Sequence, residues 1–221
     1  TIDCSVAVDF EKEYEALQAA PARETREKDA KGGSEAEIRN PKSAIRNQPE
    51  AKALYKQWHG YASVLTPMAK YYATEASVEL SNTALAILGG SGYMRDYPVE
   101  RYIRDARITN IYEGTSQLQV VAILAGLLGG DADSLFADFA ARSYTGAAAR
   151  HVPTVQEALG LFRKALDFVK QRGERDYTDL VARNLADIAI DVYSGFRLIQ
   201  FGAVSESKAL LADVFMPAMS R

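Results

Sequence analysis

Cysteine is almost missing from this sequence: Cys4 is the only one, so no disulfide can form within the chain. A single thiol fits a reducing, cytoplasmic setting, where it serves as a small apolar side chain. The two histidines, His59 and His151, are far apart and cannot build a zinc or iron–sulfur pattern with one cysteine, so no metal site is expected. No apolar run reaches the roughly 18 residues of a membrane-spanning helix. Neither sign of charge dominates: a net charge of −3 gives no case for nucleic acid or an anionic membrane. Proline and glycine are few, at 7 and 15, and β-branched runs are scarce, whereas alanine, leucine and glutamate abound, which favours helix. What remains is ordinary globular material, 48% hydrophobic and 25% charged, enough at 221 residues for one large or two small domains. The chain opens without Met or a basic signal-peptide start and reads as if entering a helix midway, so a piece of a longer protein is expected.

Ile2, Val6, Phe10, Tyr14 and Leu17 have the spacing of a helix tail. Residues 20–50 are charge-rich, broken by Pro21, Pro41, Pro49 and Gly32-Gly33, and carry a small echo, IRNP and IRNQ. That segment is too polar to bury a core and is expected to be a flexible insertion. Helical signal resumes over 52–73, where Pro67 opens a new first turn or marks a kink. The pattern predicts a helix over 74–88, with Thr74 as N-cap and Val78, Leu80, Leu85 and Leu88 as its apolar face. GGSG at 89–92 stops it. A short helix follows over 97–112, with Pro98 in its first turn and Tyr102, Ile103, Ala106 and Ile108 inward. Residues 115–128 are apolar almost all round, so this helix should be buried, with Gly129-Gly130 ending it. Three or four amphipathic helices come after 130. In 154–172, Val155, Leu159, Phe162, Leu166 and Val169 recur every three or four residues; 176–201 and 205–216 continue the pattern. The expected fold class is all-α: a helical bundle over 1–130, then a second small helical bundle over 131–221.

Two stretches invite chemistry. GGSGYMRD at 89–96 is glycine-rich, but it lacks the lysine of a phosphate loop and no strand leads into it. It is either a helix C-cap or a place where backbone amides approach a ligand closely. RDARITNIYEGTSQLQ at 104–119 sets a lone acid, Glu113, between Tyr112 and Gly114 just before a very apolar helix. An acid there favours the helix dipole. A carboxylate held against apolar and aromatic surface also has a raised pKa and can serve as a general base. Thr115 and Gln117 can hydrogen-bond a polar ligand at the same helix start.

The stretch ILGGSGYMRDYPVERYIRDARITNIYEGTSQLQ, 87–119, closely resembles the C-terminal helical domain of the acyl-CoA dehydrogenases, with its Gly-Gly-x-Gly turn, Arg-Asp-Ala-Arg helix and Tyr-Glu-Gly-Thr motif. VLTPMAKYYATEAS, 64–77, resembles the preceding helix more loosely. The resemblance implies oxidation of an acyl-CoA thioester to its trans-2-enoyl form, with FAD accepting the β-hydride and Glu113 removing the α-proton. It puts Tyr112 and Gly114 beside the substrate, Thr115 and Gln117 beside the flavin dinucleotide, and Gly89 and Gly90 against the FAD of a neighbouring subunit of a homodimer or homotetramer. Electrons would pass to electron-transferring flavoprotein. Where many members carry Gln three residues before the Gly-Gly turn, Ala86 stands, which puts one cofactor contact in question. Residues 131–221 resemble the extra helical domain of longer members, best over NLADIAIDVYSG, and imply packing more than membrane association. The family's N-terminal helical and middle β-domains are not in the sequence, so the 221 residues alone are expected to be inactive. Two other readings are a catalytically inactive helical packing module, against which the intact motif argues, and an acyl-CoA oxidase, which passes electrons to oxygen.

Overall fold

The computed structural model describes residues 49–219, and all regular structure there is helical. The helices are α1 (Pro49–Leu88), α2 (Gly90–Tyr93), α3 (Val99–Thr109), α4 (Ser116–Gly129), α5 (Asp133–Ala141), α6 (Val152–Arg172), α7 (Arg175–Gly202) and α8 (Glu206–Met219), with a 3-10 turn at Ala147–His151 before α6. The all-α expectation holds over these residues. The expected helix tail at 1–20, Cys4 and residues 20–48 of the insertion expected over 20–50 lie outside them, while Pro49 and Glu50 are helical as the start of α1. Two units divide the chain, residues 1–58 and 59–221. Of the first, only the opening turns of α1 are described; everything below concerns the second.

The region after 130 is organised by α7. Small residues on one side of it, Ala182, Ala186 and Ala189, let neighbouring backbones approach, and Val192, Phe196 and Ile199 fill the space beyond. Helices α4, α6 and α8 and the 3-10 turn all pack on it. The five-residue stripe of α6 predicted from its spacing is buried in full. Such burial stabilises by about 1.5–3 kcal/mol per large side chain. From α5, which the sequence pattern did not single out, Phe136 meets Phe162 at 5.8 Å and Phe139 stacks on Phe196 at 5.7 Å. The chain enters α7 through Gly173, whose left-handed φ of 63° ends α6. α7 ends at Gly202, which lies against Ala148. His151 is structural here: its Nε2 lies 2.6 Å from Asp213, which Arg150 also pairs.

The region before 130 corrects several expectations. α1 runs unbroken through Pro67 and Thr74. Pro67 neither starts nor stops it; the missing N–H leaves only the Ser63 carbonyl without its helical donor. Thr74 is no N-cap, since its hydroxyl donates back to the Lys70 carbonyl at 2.8 Å, a mid-helix arrangement. The buried stripe of α1 is Tyr61, Val64, Leu65, Met68 and Tyr71, one stretch earlier than the face expected over 78–88. Leu80, Ile87 and Leu88 are exposed, Ile87 by 80%. In α3, Ala106 is buried as expected, but Tyr102 and Ile108 are more than half exposed. α4 buries Val120, Ile123, Leu124 and Leu127 and leaves Leu118 and Val121 at the surface, so it is buried on one side only. Its end is as predicted: Gly130 takes φ 82°, and the Asp131 N–H reaches back to the Gly126 carbonyl at 3.0 Å. At Gly126 the helix passes so close to α1 that an added Cβ would stand 2.4 Å from Val64.

Candidate active-site loop

Residues 110–115 connect α3 to α4 and carry the lone acid. Thr115 is the N-cap of α4: its hydroxyl accepts the Leu118 N–H at 3.4 Å, and its own O–H remains free to donate elsewhere. The loop is closed on itself, because the Ser116 N–H donates to the Asn110 carbonyl at 3.2 Å. Glu113 has φ 51°, the one left-handed non-glycine among the described residues, and Gly114 follows with φ 91°. Two consecutive left-handed residues are unfavourable for the first of them and demand outside support.

That support comes from α1 and α4. Lys70 Nζ donates to the carbonyls of Tyr112 and Gly114, the latter at 2.6 Å, and lies 5.3 Å from the Tyr112 ring centre. Gln119 Nε2 donates to the carbonyls of Glu113 and Gly114, each at 3.3 Å. Three successive carbonyls around Glu113 are therefore held. From the other side, Glu75 Oε1 accepts from Asn110 Nδ2 at 3.3 Å and from the Ser116 hydroxyl. None of Lys70, Glu75 or Gln119 was flagged by the sequence. Lys70 and Glu75 lie 35 to 44 positions from their loop partners, beyond any local pattern. Gln119 alone had a local signal, sitting six positions after Glu113 on the next helix.

The residues singled out from the sequence fall into two places. Tyr112, Glu113, Gly114, Thr115 and Gln117 share the loop and the first turn of α4. Gly89 and Gly90 sit at the α1–α2 turn, and among the described residues no hydrogen bond or ring contact joins them to the loop. The Glu113 carboxylate is exposed and takes no hydrogen bond or ion pair among the described residues. The dry pocket expected around it is thus not enclosed by these residues: Tyr112, Thr115 and Gln117 are exposed as well. A flavin dinucleotide suits the groups present. An added Cβ at Gly89 or Gly90 would meet nothing within 4 Å, so their backbone is open to close approach, and the start of α4 offers the Thr115 O–H and the Gln117 amide. At Ala86 the side chain is exposed and bears no donor. Among the described residues no cluster of His, Cys, Asp or Glu could hold a metal ion, and no single helix is long and apolar enough to cross a membrane.

Comparison with known proteins follows the same stretch. Residues 43–128 match the family described as "Acyl-CoA dehydrogenase, C-terminal domain". An acyl-CoA dehydrogenase of Bacillus subtilis is 54% identical over 63 residues, which are 28% of this chain and 17% of that protein. The mitochondrial short-chain specific acyl-CoA dehydrogenase of Rattus norvegicus is 56% identical over 61 residues, 28% of this chain and 15% of its own length. A 3-(aryl)acrylate reductase of Clostridium sporogenes is 51% identical over 61 residues, 28% of this chain and 16% of its own. The chain thus spans about a sixth of the length of these relatives. Together with the all-helical architecture of the described residues, the match makes residues 43–128 similar to part of the acyl-CoA dehydrogenase C-terminal domain.

Proposed function

We propose that this chain carries the catalytic base of an FAD-dependent acyl-CoA dehydrogenase, with Glu113 removing the α-proton of an acyl-CoA thioester as its trans-2-enoyl product forms. The observation that carries the reading is the loop itself. Lys70 and Gln119 hold the backbone through residues 112–114, while the carboxylate they flank has no partner among the described residues. A general base must reach its proton from a fixed backbone and must not be occupied by an ion pair. The exposed carboxylate would acquire its dry surroundings from bound substrate and from the rest of the site. Tyr112 and Gly114 would line the acyl side, Gly114 allowing close passage. Gly89, Gly90, Thr115 and Gln117 would hold FAD, which when bound supplies the hydride acceptor. Electron-transferring flavoprotein is the proposed electron acceptor.

A homodimer or homotetramer is proposed, supported by the exposed Leu80, Ile87, Leu88, Tyr93 and Tyr102, an unusual amount of apolar surface for a stretch of this length. We place the functional boundary near 130, which the end of the family match at 128 supports; spatially, α4 packs on α6 and α7 across it. With about a sixth of a relative's length aligned, the 221 residues alone are not expected to turn substrate over.

A second reading, reduction of an aryl acrylate, is favoured by the likeness to the Clostridium sporogenes protein. The test is anaerobic flavin bleaching in the flavin-loaded protein, in which the family's N-terminal helical and middle β-domains are joined to these 221 residues, with a panel of acyl-CoA thioesters of varied chain length and an arylpropanoate. Wild type should bleach with a thioester and Glu113→Gln should not. Bleaching only with the arylpropanoate selects the second reading, and equal bleaching by both proteins removes Glu113 from the chemistry.

A further inference from the structure

Glu75 divides its two oxygens between the loop and a helix that lies outside the family-matched residues. Oε1 takes both ends of the loop, Asn110 and Ser116; Oε2 faces Arg183 Nη2 of α7 at 3.4 Å. Asn110 depends on this carboxylate. It is only 7% exposed, its Oδ1 has no hydrogen-bond partner among the described residues, and its amide donates to Glu75. Arg183 is fixed in turn: its Nε donates to the Tyr71 hydroxyl at 2.8 Å, and that hydroxyl donates to Asp187 at 2.8 Å. The guanidinium also lies 5.5 Å from the Tyr71 ring centre. A continuous relay therefore runs from Asp187 and Arg183 on α7, through Tyr71 and Glu75 on α1, to the two residues that bracket Glu113.

We propose that Arg183 is a positioning residue for the Glu113 loop, acting through Glu75, so that the segment after residue 130 conditions the candidate base. Arg183 holds one oxygen of the carboxylate, which keeps the other aimed at Asn110 and Ser116. Without it, Glu75 is free to turn to solvent, and the buried Asn110 amide loses its acceptor. The pair is partly exposed, with side-chain exposures of 57% for Arg183 and 36% for Glu75, so the effect is graded and not all-or-none. The catalytic half of this inference rests on the proposed role of Glu113; the ordering of the loop does not.

The test is amide hydrogen exchange over residues 110–116 in the full chain, for wild type, Arg183→Met, Glu75→Gln and the double variant. Each single change should speed loop exchange roughly two- to fivefold, the double should be no faster than the faster single, and α6 amides should be unchanged. If Arg183→Met does not fold, Arg183→Lys replaces it, and the same comparison applies because a lysine lacks the planar fork that sets Nε on Tyr71 and Nη2 beside Glu75. In the flavin-loaded protein, Arg183→Met should lower kcat by a similar factor and leave KM in place. Wild-type exchange in the loop, or additive effects in the double variant, overturns the proposal. Ordinary turnover by Glu113→Gln would instead remove the function proposed for the loop and leave the exchange result to stand by itself.

Discussion

Lys70 Nζ donates to the Gly114 carbonyl at 2.6 Å and to the Tyr112 carbonyl as well, gripping the backbone on both sides of Glu113. A single cation from mid-α1 thereby fixes where the candidate base can stand. Lys70→Met keeps most of the aliphatic stem and removes all three donors. It should cost about 1–2 kcal/mol of stability, the range for a part-exposed charged hydrogen bond, and lower turnover by at least about tenfold through misplacement of the base. Thermal unfolding and steady-state rates measure the two effects separately; unchanged turnover would show that the grip has no catalytic value.

Glu113 and Gly114 should respond in opposite directions to changes of backbone freedom. Gly114→Ala places a side chain at φ 91° and a Cβ 2.8 Å from Gln119 Nε2, so it should destabilise by about 1–3 kcal/mol. Gln119 can swing away, so Gly114→Ala combined with Gln119→Ala should recover little. Glu113→Gly relieves the strain of φ 51° and should hold or raise the melting temperature while ending turnover. Melting temperatures of the three variants decide this.

The crossing of α1 and α4 should fail by overpacking. Gly126→Ala drives a methyl to 2.4 Å from Val64, which is fully buried, at an expected cost of about 1–3 kcal/mol. Val64→Ala removes the obstructing methyl and should restore part of that loss in the double variant. Denaturant midpoints of the two singles and the double form the required cycle; simple additivity would contradict the packing account.

Asp191 on α7 gives a pH dependence of definite sign. Burial, and to a lesser degree the neighbouring Asp187 carboxylate, push its pKa up from 3.8 to about 6. The folded state therefore binds this proton more tightly than the unfolded state. The penalty is absent below pH 3.8, grows as the unfolded chain ionises, and is complete above about pH 6. Asp191→Asn should stabilise by on the order of 1–2 kcal/mol at pH 7.5, discounted for partial exposure, and by almost nothing at pH 4. Unfolding midpoints of both proteins across that range test the sign; a gain that persists at pH 4 rejects this origin.

Residues whose roles are local were legible in the sequence. The α6 stripe from Val155 to Val169 and the glycine end at 130 both depend on neighbours within one or two turns, and both stand as read. Periodicity also marked Tyr102, Ile108, Leu80 and Leu88 as sharing faces, but a face says nothing of what covers it, and among the described residues nothing does. Pro67 and Thr74 misled because each is a strong local punctuator, while α1 is held by a buried stripe on either side of Pro67 that outweighs one missing hydrogen bond. The motif around Glu113 was plain from its residues. Its supports were not: Lys70, Glu75 and Arg183 are ordinary charged residues on helix surfaces, given meaning only by contacts 35 or more positions away.

The central claim is that Glu113 takes the α-proton, and the most direct measurement is deuterium incorporation at C2 of an acyl-CoA incubated anaerobically with the flavin-loaded protein in D2O. Wild type should place deuterium at C2, and Glu113→Gln, matched in flavin content and melting temperature, should not. Equal incorporation by the two proteins would contradict the account, and the base would have to be sought elsewhere.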